Sequence, residues 1–153
     1  MKSISVAKPA DLVDMIGPEI AVSEWIQVTQ DMVDMFADAT SDHQWIHVDV
    51  ERAESETEFQ STIAHGFLTL SLLSKFLNDT IDLGKSEMGI NYGLNRVRFT
   101  SPVKTGDRVR ARFDLIKVDN LEGGVQLQWN VRVEIDGQDK PALIAEWLTR
   151  RYG

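Results

Sequence analysis

Hydrophobic positions change their period along this chain, and the changes mark out its elements. Ser23–Val28 (SEWIQV) reads as a short strand. Thr29 then suits a helix N-cap, and Met32, Val33, Phe36 and Ala37 put one apolar face on a helix ending near Ala39. Residues 40–50 are polar and follow no period. Glu51–Ser61 is acidic and rich in Ser and Thr, which predicts an exposed segment with some helix. From Ile63 to Asn78 the sequence IAHGFLTLSLLSKFLN is apolar on nearly every side, so this helix should be buried. The period then drops to two. Val109, Ala111, Phe113 and Leu115 alternate with Arg110, Arg112 and Asp114. Gly123-Gly124 marks a hairpin turn, after which Val125, Leu127, Trp129, Val131 and Val133 alternate again. Asp136-Gly137 makes a second turn, and Leu143–Arg150 supplies a last strand. The predicted class is α+β: a curved antiparallel sheet wrapped around one long central helix. Nothing repeats at a solenoid period and no linker divides the chain, so residues 1–153 are expected to form a single domain.

Composition narrows the classes further. Hydrophobic residues make up 42 % and charged residues 26 %, the balance of a soluble globular protein. No stretch approaches the roughly 18–20 apolar residues of a membrane span. The N-terminus, MKSISVAKPADLVDM, lacks the apolar run of a secretory signal, so a cytoplasmic location and no membrane contact are expected. The absence of cysteine removes disulfides, thiolate nucleophiles and cysteine zinc sites from consideration. The net charge of −8 is unevenly spread: residues 1–80 hold 4 basic and 14 acidic side chains, residues 81–153 hold 12 and 10. No strongly basic face results, so a nucleic-acid partner is not expected. Arg96, Arg98, Lys104, Arg108, Arg110 and Arg112 could still hold a small anionic group; solvated strand faces are the competing reading.

Two of the three histidines fall in Asp42-His43-Gln44-Trp45-Ile46-His47-Val48-Asp49. His43 and His47 have the spacing of a zinc-binding H-E-x-x-H helix, with Asp49 or His65 as a further ligand. Gln44 stands where the glutamate should be and the stretch reads as a loop, so no metal is expected. Acid–base chemistry fits better. Asp42 and His47 can converge on one water, and imidazole titrates near neutrality. Asp42 capping a turn beside a satisfied core histidine remains the alternative. His65-Gly66 opens the buried helix, where a glycine leaves its N–H free to polarise a carbonyl oxygen, unless it serves only close packing. Ser71 and Ser74 interrupt the apolar helix and can bond back to the preceding turn. Dinucleotide, P-loop and nucleophile-elbow motifs are absent.

The run Ala39–Asp49, followed by Ile63-Ala64-His65-Gly66-Phe67-Leu68-Thr69 and Ile90-Asn91-Tyr92-Gly93-Leu94-Asn95, resembles the MaoC-like (R)-specific enoyl-CoA hydratases, in their nodulation-protein-N-like branch. The family's usual Gly-Asp-x-Asn-Pro-(Leu/Ile)-His is matched at Asp42 and His47, with Ser41, Gln44 and Trp45 in place of Gly, Asn and Pro. The resemblance implies a hot-dog fold, usually a homodimer, and a hydro-lyase acting on trans-2-enoyl-CoA or an acyl-carrier thioester. It implies Asp42 and His47 as the catalytic pair and Gly66, with His65 beside it, at the thioester oxygen. Ser74 would lie near the pocket, and Asn91, Tyr92, Gly93 and Asn95 along the acyl channel. Arg96, Arg98 and Lys104 are then candidates for the coenzyme A phosphates. No cofactor is implied beyond the coenzyme A of the substrate. A hot-dog thioesterase and a non-catalytic acyl-thioester-binding protein are the competing functions.

Overall fold

The computed structural model describes residues 1–153. In chain order, β1 (Ile4–Ser5) and a 3₁₀ helix (Pro9–Met15) lead into β2 (Gly17–Val22) and β3 (Ile26–Gln27). Three short helices follow: α1 (Gln30–Thr40), α2 (Trp45–Val48) and α3 (Val50–Glu56). Then come α4 (Gly66–Ser71), α5 (Leu73–Thr80) and β4 (Ile81–Asp82). The long strands β5 (Met88–Phe99), β6 (Arg108–Leu121), β7 (Gly124–Ile135) and β8 (Leu143–Tyr152) close the chain. The main sheet runs β2-β6-β7-β8-β5, antiparallel throughout, with β3 also on β6. A parallel β1–β4 pair stands apart from it.

Alternation decides which side of the sheet meets the helix. Phe113 and Leu115 of β6, Leu127 and Trp129 of β7, and Leu143 and Trp147 of β8 are buried in one core with Leu73, Phe76 and Leu77 of α5. Each such side chain contributes roughly 1.5–3 kcal/mol by burial. Trp129, fully buried, meets the Phe113 ring edge-on at 5.8 Å and donates its indole N–H to Thr149 Oγ1 at 3.0 Å. This is a hot-dog fold, a sheet curved around α4–α5. No helix is long and apolar enough to cross a membrane.

Several boundaries differ from the sequence reading, each for a local reason. Gly17–Val22 is a strand the sequence did not suggest, and of the expected strand Ser23–Val28 only Ile26–Gln27 forms. Ser23 ends the first by bonding Ala111 twice: its N–H donates to the carbonyl, and its Oγ accepts the Ala111 N–H, both at 2.9 Å. The helix expected from Ile63 starts at Gly66, because the Ile63 and Ala64 N–H groups donate to Ile46 and Val103 carbonyls and hold this run extended. It is also split at Leu72, whose N–H is shared between the Leu68 and Thr69 carbonyls in a tightened turn. The polar stretch 40–50 contains the one-turn helix α2, and 51–61 has its helix at Val50–Glu56.

β5 is one edge of the sheet, opposite β2. It pairs only with β8 and carries two bulges, at Tyr92 and Asn95, where the register slips by one. Met88, Ile90, Leu94 and Phe99 on it are exposed.

Ser41 ends α1 in the left-handed region, at φ 58° and ψ 28°. A side chain there costs roughly 1–2 kcal/mol, against roughly 0.5–1 kcal/mol of extra chain entropy that glycine brings to the unfolded state. Ser41→Gly should therefore stabilise the fold by about 0.5–1 kcal/mol. A raised urea midpoint at unchanged slope is the expected result; an unchanged or lowered midpoint would show that Ser41 is unstrained.

Candidate active site

The site begins where α1 stops. The Asp42 N–H closes α1 onto the Ala37 carbonyl at 3.1 Å, and the Asp42 carboxylate, 55 % exposed, lies 3.4 Å from the Gln44 N–H. One turn later α2 carries His47, 7 % exposed. Gln30 of α1 holds the His47 carbonyl through its Nε2 at 2.8 Å, and its Oε1 accepts from Thr62 Oγ1 at 2.6 Å. Thr62 Oγ1 in turn lies 2.8 Å from Thr105 Oγ1.

Both imidazoles have their tautomers set by carbonyls, which only accept. His47 Nδ1 is 2.6 Å from the Ile63 oxygen, so the proton sits on Nδ1 and Nε2 keeps its lone pair. His65 Nε2 is 3.0 Å from the Asp42 carbonyl oxygen, so that nitrogen donates, and the buried Nδ1 is left without a partner. The two rings stack with centroids 3.8 Å apart and planes 23° apart, and Phe36 closes on His65 at 4.9 Å. One carboxylate oxygen of Asp42 and one ring nitrogen each of His47 and His65 lie within 4.8 Å of one another. That spacing would suit a metal, but the ring orientation does not. Imidazole lone pairs lie in the ring plane, and stacked rings cannot both aim at an ion roughly 2.0–2.1 Å away. His43 is outside the cluster, exposed, with Nε2 2.8 Å from Asp38 Oδ1.

Burial pushes the His47 pKa down; the Ile63 hydrogen bond opposes this, His65 adds to it, and Asp42 pulls the other way. The net shift is downward, so His47 is neutral at pH 7 with its Nε2 lone pair free. His47 and Gly66 line one cavity of about 330 Å³, together with Thr69, Phe99, Pro102 and Ala142. As the first residue of α4, Gly66 has no acceptor for its N–H within the helix. A Cβ there would come within 3.0 Å of the Phe99 ring. Asp42 is not among the residues lining this cavity.

The remaining candidates separate in space. Ser74 and Asn91 share a second cavity of about 140 Å³ with Leu70, Leu94 and Trp147, where Asn91 Oδ1 accepts the Trp147 indole N–H at 2.7 Å. Ser71 bonds back to the Phe67 carbonyl at 2.7 Å. Tyr92 and Asn95 are the bulge residues of β5, and Tyr92 lies under the Arg150 guanidinium at 3.5 Å. Gly93, between them, has open space where a Cβ would project. Arg96 borders a cavity of about 480 Å³ on the outer face of the sheet with Glu19, Arg112, Arg132 and Glu146. Arg98 is exposed and bonds the Val97 carbonyl. Lys104 instead bridges to Ile63, next to the run that carries His65. Arg108 pairs with Asp136, Arg110 with Glu134, and Arg112 with both Glu19 and Glu134. Gln30, Thr62 and Thr105 went unnoticed in the sequence, being distant in the chain and without a motif, and Phe36 stood out only as part of the apolar face of α1.

Comparison with known proteins adds an independent line. The family model described as MaoC like domain matches residues 11–134. Nodulation protein N of Rhizobium leguminosarum bv. viciae is 52 % identical over 143 residues, covering 92 % of this chain and 88 % of that protein. The 3-hydroxyacyl-thioester dehydratase Z of Mycobacterium tuberculosis is 47 % identical over 142 residues, covering 92 % and 93 %. Among solved structures, the (R)-hydratase from A. caviae involved in PHA biosynthesis is 26 % identical with a TM-score of 0.71, over 88 % of this chain and 94 % of that one.

The lowered His47 pKa has a consequence for stability. Unfolded histidine titrates near about 6.5, while native His47 takes its proton only at lower pH. Between the two values the unfolded state holds more protons, so stability should fall as pH drops below about 6.5 and be flat in this respect above it. His47→Gln should remove that part of the slope. Unfolding free energies measured from pH 5 to pH 8 test it; equal slopes in the two proteins would show that His47 does not titrate abnormally.

Proposed function

The chain belongs to the MaoC-like dehydratase family, and from that membership we propose that it adds water reversibly across a trans-2-enoyl thioester to give the (R)-3-hydroxyacyl thioester. The observation that carries this reading is the neutral His47, its Nδ1 bound to the Ile63 carbonyl and one nitrogen of its ring within 4.8 Å of the Asp42 carboxylate, on the cavity that Gly66 also lines. The names of the similar mycobacterial dehydratase and of the A. caviae (R)-hydratase support the substrate class and the hand of the product.

The thioester carbonyl makes C3 electrophilic, so attack there needs a water stripped of a proton. In this scheme Asp42 orients the water and His47 Nε2 accepts the proton as the new C3–O bond forms. The π electrons move toward the thioester oxygen, where the Gly66 N–H meets the developing charge. Burial disfavours the resulting imidazolium, so His47 readily gives the proton up to C2 and is regenerated neutral. Hydration is redox-neutral, and coenzyme A or an acyl carrier would be the substrate's handle. We also propose a twofold homodimer joined along β5, because that edge leaves its main-chain groups unpaired and Met88, Ile90 and Leu94 exposed.

Purified protein given trans-2-enoyl-CoA should remove the enoyl ultraviolet absorbance. Asp42→Asn and His47→Gln should each lower kcat by roughly 10²–10⁴-fold while leaving the fold intact. Hydrolysis of saturated acyl-CoA without hydration would point to a thioesterase, and binding without turnover to a carrier; either would sink the proposal. For the assembly, light scattering should give twice the 17.3 kDa chain mass, and a 17.3 kDa particle at micromolar concentration would contradict it.

A further inference from the structure

The helix α4–α5 and the strand β5 run past each other in opposite directions, and the contacts between them change character along the way. At one end Gly66 faces the Phe99 ring. In the middle, Leu70 and Ser74 face Leu94 and Asn91 across the 140 Å³ cavity. One helical turn beyond Ser74, Asn78 Oδ1 accepts from Arg151 Nη2 at 3.3 Å. Gly89, two residues before Asn91 on the same face of β5, pairs opposite Arg151. The guanidinium occupies the space a side chain at Gly89 would need: a Cβ there would lie 2.5 Å from Nη1. From Gly66 to Asn78 the helix rises about 18 Å at about 1.5 Å per residue.

Arg151 is a cation left short of partners. Its Nε is buried with no acceptor, and burial alone pushes its pKa down, with no acidic neighbour opposing it. It remains charged nonetheless. It borders a cavity of about 270 Å³ with Asn78, Asp82, Leu83 and Ser86. Asp82 is already committed, its two oxygens accepting from Ser5 Oγ and the Gly84 N–H. We propose that this cavity is a carboxylate site at the distal end of the acyl groove, so that the chain favours thioesters whose acyl group ends in a carboxylate. The inference rests on the thioester reading above. The planar guanidinium fork matches a carboxylate in two hydrogen bonds, and Asn78 Oδ1 is the acceptor it now has.

Calorimetric titration of the whole protein with saturated acyl-CoA thioesters of increasing length, ending in methyl or in carboxylate, tests this without turnover. At one length the carboxylate form should bind roughly ten- to hundredfold more tightly than its methyl counterpart. Arg151→Gln should abolish the difference. Gly89→Ala should weaken it with Arg151 still present, because the new methyl only displaces the end of a flexible side chain. Equal binding of both series at every length would overturn the site, as would a preference that survives Arg151→Gln, or binding of free pentanoate with no thioester preference. Normal hydration of methyl-ended enoyl-CoA alongside those results would show that only this inference fails. If no thioester binds at all, the functional reading falls with it.

Discussion

The hydrogen bond from His47 to the Ile63 carbonyl is the constraint on which the arrangement of the site depends. It joins two segments that are far apart in sequence, and it works as one of a set. The Ile63 N–H returns a bond to the Ile46 carbonyl, and His65 reaches back to the Asp42 carbonyl. The 63–65 run is in turn fastened to Val103. The loop bearing Asp42 and His47 therefore has little freedom to drift from the start of α4. The same bonds decide proton placement: each carbonyl takes one N–H, and what remains is one lone pair per ring. Holding two buried imidazoles face to face, one with an unmet nitrogen, gives up stability that a plain apolar cluster would keep.

How much of this was legible follows from the range of the forces involved. The meander β6–β7–β8 could be read because period-two burial writes itself into consecutive residues, and Gly123 and Gly137 do adopt the positive φ their turns require. Asp42, His47 and Gly66 stood out because they fall in compact motifs. β2 was hidden by Gly17-Pro18-Glu19, which reads as a turn, and Glu19 does sit at φ 47°. β5 shows no clean alternation, since all its residues but Gly93 and Val97 are exposed and two bulges break the period. Gln30, Thr62 and Thr105 support the site through contacts 32 and 43 residues apart in the chain, which no window of sequence displays.

The charge asymmetry of the chain has a structural use. The arginines of β6 lie on the outer face of the sheet, where Arg110 and Arg112 share Glu134 and Arg112 also takes Glu19 from the acidic half. Burial alone would push the Glu134 carboxyl up, but the hydrogen bonds from Arg112 and Arg110 outweigh it and hold it below its usual range. Sequence proximity had grouped these arginines with Arg96, Arg98 and Lys104. The fold keeps Arg96 on that same outer face, in one cavity with Glu19 and Arg112, and sets apart only Lys104, which lies beyond the end of β5.

The two bulges of β5 make residue parity an unreliable guide to orientation. Val97 and Phe99 face the core side, then Leu94, then Asn91 and Gly89, so the inward set changes from odd to even and back within one strand. Each bulge adds one residue that has no partner on β8, so deleting Tyr92 or Asn95 would restore regular alternation and leave every other residue on the face it already holds. With Tyr92 gone, Asn91 would stay opposite Thr149 and Gly89 opposite Arg151, and the polar wall beside α5 would keep its lining. A gap of one codon at either bulge thus costs the strand its local bend and twist but not its inward set, so related chains can differ in the length of this strand and still line the groove with the same side chains.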